Sequence, residues 1–173
     1  MADARRTIEL DPLPVENSVG LALALYGSGH YDKALALIGK LREVRPPLLR
    51  LPDLTAHVYM SKGMWPEAIA AFGGKGGVPS GFLGRALAQA GYRTEARRLL
   101  AKLIGSERRE GGLAFDVALV YEGLGDYDQA STWLDKSIDE HSLNLYIMYP
   151  AYDKLRADPR FERIRQRLNR GGV

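Results

Sequence analysis

Four segments of this chain, set at near-regular intervals, carry a glycine followed five residues later by an alanine. They are Gly29 to Ala34, Gly63 to Ala68, Gly91 to Ala96 and Gly125 to Ala130. Successive glycines are 34, 28 and 34 residues apart. A recurrence of that length marks a supersecondary unit that cannot bury its apolar face alone and must stack on its neighbours. It therefore constrains the fold more than any composition figure does.

The flanking residues define the unit. Before each glycine lies a helical apolar pattern: Leu21, Ala22 and Leu25; Ala56 and Tyr59; Leu83, Gly84 and Leu87; Val117, Ala118 and Tyr121. After it comes a second such face: Ala34, Ile38 and Leu41; Ala68 and Phe72; Ala96, Leu100 and Leu103; Ala130 and Leu134. Spacings of three and four residues place these side chains on one side of a helix. Each unit reads as helix, glycine turn, helix, with alanine where the two helices approach.

These residues resemble the tetratricopeptide repeat. The family's small residue in the first helix falls on Ala22, Ala56, Gly84 and Ala118, and that of the second on Ala34, Ala68, Ala96 and Ala130. The first-helix tryptophan is absent, and the closing proline survives as Pro46, with Pro12 ending what looks like a truncated earlier repeat. The resemblance implies an all-α, right-handed α-solenoid of helix-turn-helix repeats. It forms a single domain over 1–173: a partial leading helix at 3–12, four repeats over about 15–142 and a cap over 143–170. The run from Lys154 to Phe161 is similar to the closing segment of such domains in bacterial winged-helix regulators, serine/threonine kinases and adenylate cyclases. Asp158-Pro159 reads as an N-cap followed by proline at the first helical position, opening a helix whose buried stripe is Phe161, Ile164 and Leu168.

The 28-residue interval has a local cause. Gly73, Gly74, Gly76 and Gly77 follow Phe72 closely, and each costs about 1 kcal/mol in a helix interior. The second helix of the second repeat is predicted to stop near Phe72.

The sequence argues against several functions. Cysteine is absent, which excludes disulfides and thiolate metal sites. His30, His57 and His141 have no metal-ligand spacing, so neither metal nor other cofactor is expected. Lys75 to Gly81 superficially suggests a phosphate loop, but Pro79-Ser80 stands where Gly-Lys-Thr is needed. No nucleophile-and-base arrangement is readable, and no enzyme is expected. Net charge is +3, yet residues 154–170 carry seven basic side chains against two acids, leaving the rest at −2. This basic tail is expected to be a solvated cap face; nucleic acid is not an expected partner. No apolar stretch follows Arg5-Arg6, and the run Val19 to Tyr26 is too short to span a bilayer. The expected compartment is the cytoplasm, or the outer side of the inner membrane if the chain belongs to a larger regulator.

The resemblance also implies a binding surface. First helices of this family line a concave groove, and the register assigns to it Tyr26, His57, Met60, Arg85, Gln89, Phe115, Leu119 and Glu122, with Val19 and Leu23 at the N-terminal end. Chaperone-binding members need lysine and asparagine where Val19 and Leu23 stand, so a chaperone C-terminal carboxylate is not the implied ligand. An amphipathic helix or extended peptide with apolar anchors and an acidic group is, with Arg85 as an accessible contact that Arg85→Glu would remove without loss of stability. The expected role is an interaction scaffold; the alternative is a regulatory or sensory domain of a larger bacterial signalling protein. The N-terminal end is a candidate homodimer contact.

Overall fold

The computed structural model describes residues 15–44, 51–73, 80–142 and 145–170. The leading helix, the N-terminal dimer contact and most of the glycine-rich segment lie outside them. Among the described residues every regular element is helical. Four pairs follow one another: α1 (Val15–Gly27) with α2 (Tyr31–Val44), α3 (Leu51–Ser61) with α4 (Trp65–Ala71), α5 (Gly81–Gln89) with α6 (Arg93–Glu110), and α7 (Ala114–Leu124) with α8 (Tyr127–Asp139). Short 3₁₀ turns at Leu145–Met148, Pro150–Tyr152 and Pro159–Phe161 alternate with α9 (Asp153–Ala157) and lead into α10 (Glu162–Arg170).

The four glycines perform one task. Gly29, Gly63, Gly91 and Gly125 have φ of 78°, 71°, 89° and 83°, a region closed to most side chains. Each glycine N–H bonds the carbonyl three residues back, and the next N–H bonds the carbonyl five back, as in His30 to Leu25 at 2.8 Å and Asp126 to Tyr121 at 2.9 Å. This is the Schellman end of a helix, made four times. The residue after each glycine also accepts the first helical bond of the second helix. Its donor is the repeated alanine: Ala34 to His30, Ala68 to Met64, Ala96 to Tyr92 and Ala130 to Asp126. All four alanines are fully buried.

Helices α5 and α7 pack closely. A Cβ on Gly84 would run into the Val120 side chain, and one on Gly123 would lie 2.9 Å from the Arg85 Cα. Small residues here let two backbones approach to near contact. The connection from α6 to α7 is held by Glu107, whose side chain is buried. It accepts the Leu113 N–H at 2.5 Å and the Lys136 ammonium at 2.6 Å. Burial pushes its pKa up, but these hydrogen bonds outweigh that and hold it below the usual carboxylate range.

The helix of the second repeat ends at Ala71, with Phe72 as its C-cap and Gly73 at φ 91°, as the glycine cluster predicts. Asp158 caps the following turn by accepting the Arg160 N–H at 3.0 Å. Phe161 and Ile164 are buried; Leu21, expected on an inner face, is 45% exposed. Being adjacent to Ala22, it points off the stripe that Ala22 and Tyr26 bury.

Candidate functional site: the inner face and the segment that covers it

The inner face collects one or more side chains from each first helix. Tyr26 comes from α1, His57 and Met60 from α3, Phe82, Arg85 and Gln89 from α5, and Phe115, Leu119 and Glu122 from α7. Of the eight residues expected to line the groove, Gln89 alone is exposed; the other seven are buried. The chain's own segment Tyr149–Tyr152 lies on three of them, Tyr26, His57 and Arg85.

The seat of that segment is both polar and aromatic. The Ala151 N–H donates to the Tyr26 hydroxyl at 3.3 Å, and the Ala151 carbonyl accepts from Arg85 Nη2 at 3.1 Å. One residue thus has both backbone groups read by the inner face. Tyr149 meets Tyr26 and His57 edge-on, with ring centroids 5.2 and 5.4 Å apart. Tyr152 is fully buried. Its ring lies under the Arg85 guanidinium at 4.8 Å, and its hydroxyl stands 3.4 Å from His57 Nδ1. Phe82 packs edge-on to His57 at 4.9 Å and to Phe115 at 6.1 Å. Tyr26 also shares a hydrogen bond with Ser61 at 3.0 Å.

Electrostatics follow from enclosure. Burial drives the His57 pKa down to about 3, and the Arg85 charge adds to the effect, so the imidazole is neutral. Burial raises Tyr26 to about 12 and Tyr152 well above the ordinary tyrosine value. Burial alone would loosen the Arg85 proton. Glu122 outweighs it, because its carboxylate pairs with both Nε and Nη2, and the guanidinium holds its proton more firmly than usual.

This corrects one expectation. Arg85 is not an accessible groove contact: it is 5% exposed and already committed to Glu122 and Ala151. Tyr149, Ala151, Tyr152 and Phe82 do not emerge from the repeat register. The signal for the first three was an aromatic pair around proline just past the last repeat, where no repeat residue calls for it.

A cleft of about 340 Å³ remains beside the covered face. Met60, Trp65, Arg85, Gln89, Glu122 and Lys154 contribute to its walls. The basic tail is largely neutralised by its surroundings: Arg156 pairs with Asp153, Arg160 with Asp158, Arg163 with Asp135, Arg165 with Glu162, and Arg167 with Asp135 and Asp139. Among the described residues no cluster of three histidine or acidic side chains suits a metal ion, and no helix is long and apolar enough to cross a membrane. The suspected phosphate loop falls mainly on residues 74–79, outside the described ones.

Residues 18–40 and 78–102 match the family model of the tetratricopeptide repeat. The chain carries tetratricopeptide repeats in these two stretches. The matched stretches cover most of α1–α2 and α5–α6, the first and third repeats. The second and fourth repeats declare themselves through the same glycine turns. No curated protein and no solved structure matches this tetratricopeptide-repeat chain significantly. Tetratricopeptide repeats generally mediate protein–protein interaction and are typically non-catalytic.

Proposed function

We propose that this chain is an interaction scaffold that takes a peptide or helix of a partner protein on the inner face of its first helices. One observation carries the reading: that face holds a peptide segment already, gripping the backbone of Ala151 from both sides. A surface able to satisfy the N–H and C=O of an incoming chain, with aromatic walls beside them, suits peptide recognition in which main-chain bonds give affinity and pockets give specificity. Tyr26, His57, Met60, Arg85, Gln89, Phe115, Leu119 and Glu122 are the proposed contact set, with Gln89 at the open rim and Tyr26 and Arg85 reached only where Ala151 gives way. The internal pairing of the basic cap argues against a nucleic-acid role, which needs a wide unpaired basic surface.

Photo-crosslinking from the full chain tests this. A photoreactive residue at Gln89, beside the cleft, should capture a partner in cells of the source organism; one at Arg98, exposed on α6, should not. Identical products from both positions would sink the assignment of the inner face.

A further inference from the structure

The covering segment specifies what the inner face recognises. Tyr149 is extended, at φ −72° and ψ 151°, the conformation that a following proline favours. Pro150–Tyr152 then forms a single 3₁₀ turn. The result sets two aromatic rings three residues apart on either side of one backbone grip. The first ring sits between Tyr26 and His57; the second lies under Arg85 and near Phe82. Between them, Ala151 gives its N–H to Tyr26 and its carbonyl to Arg85. The side chain at the gripped position is a methyl group, and proline before it restricts the free peptide, which lowers the ordering cost of binding.

Resting on the groove-binding reading above, we propose that Tyr149–Tyr152 is an internal stand-in for the partner, and that the partner presents an aromatic–proline–small residue–aromatic motif which displaces it. The arrangement selects against a positive charge at the second ring position, where an ammonium would face the Arg85 guanidinium. It selects for proline through the extended entry. Because the stand-in is tethered, it competes at high effective concentration, and an incoming motif binds with an affinity reduced by the fraction of chains whose face is open.

The probe is a synthetic peptide copying residues 147–156, titrated into the full chain by fluorescence anisotropy. The Tyr149→Ala chain, which weakens the internal segment at its half-buried ring, should bind this peptide at least tenfold more tightly than the unaltered chain. A peptide in which both tyrosines are replaced by alanine should bind neither. Equal affinity for the two chains, or indifference to the alanine replacements, overturns the proposal. Hydrogen–deuterium exchange on the unaltered chain gives a second readout, should Tyr149→Ala fail to fold. Excess peptide should speed exchange at Ala151 and Tyr152 and leave Leu119 unchanged; no acceleration there means that the segment is a permanent cap and overturns the proposal. If the peptide fails while crosslinks from Gln89 persist, the motif is refuted and the groove reading stands.

Discussion

Arg85 on α5 and Glu122 on α7 form an ion pair with side chains only 6% and 5% exposed. It joins the first helices of adjacent repeats, and the guanidinium Nη2 donates to the Ala151 carbonyl as well as to Glu122. Breaking a buried pair by removing one partner typically costs about 3–5 kcal/mol, because the other charge is left uncompensated. Glu122→Gln should therefore lower unfolding free energy by about that amount in urea titration. Arg85→Glu should be at least as damaging, since it sets two carboxylates together in a closed site. A loss under 1 kcal/mol for Glu122→Gln would show that water reaches the pair.

The glycines of the first helices differ by position. Gly84→Ala and Gly123→Ala push a methyl group into Val120 and into the α5 backbone, and each should cost about 1–3 kcal/mol through overpacking. Gly20→Ala, on an exposed stretch of α1 with nothing within 4 Å of the added carbon, should stabilise by about 0.5–1 kcal/mol through helix propensity. Thermal midpoints moving in one direction for all three would refute the close α5–α7 approach.

His57 gives the fold an acid sensitivity. Its pKa is about 3 when buried and 6.5 as an ordinary histidine. Between those values the unfolded chain binds a proton that the folded chain does not, so stability rises with pH there. The stabilising share is fully present above pH 6.5 and is lost as pH falls toward 3, with a slope of about 1.4 kcal/mol per pH unit from this group. His57→Phe should flatten the stability profile between pH 6 and 4. An unchanged slope would assign the acid response to other groups.

Glu107 is expected to matter more than its place near a helix end suggests. Glu107→Ala removes the acceptor for the Leu113 N–H and for Lys136. The loss should be about 1–3 kcal/mol, the scale of leaving a buried polar group unsatisfied. Circular dichroism melts should show it, while Lys102→Ala on the exposed face of α6 serves as the neutral reference.

The repeat was legible because its determinants are local. A Schellman turn needs one residue at positive φ and carbonyls within five positions, so Gly29, Gly63, Gly91 and Gly125 announce it from the sequence alone. The early stop of α4 follows equally from glycine propensity. The grouping of Tyr26, His57, Arg85 and Glu122 was an implication of the family resemblance; the structure brings them together through Tyr149–Tyr152 and the Arg85–Glu122 pair.

What covers that surface was decided by tertiary structure. Ala151 bonds Tyr26 across 125 residues and Arg85 across 66, and no periodicity links positions so far apart. The pairing of Arg85 with Glu122 arises where α5 and α7 approach closely through Gly84 and Gly123, so two charges that the sequence offers to a partner satisfy each other instead. The sequence by itself determined the helix pairs and their turns, since each depends on neighbours within one repeat. Only the folded chain determined that Tyr26, His57 and Arg85 are covered, since Tyr149 and Tyr152, beyond the last repeat, pack among aromatic rings and a buried arginine contributed by earlier ones.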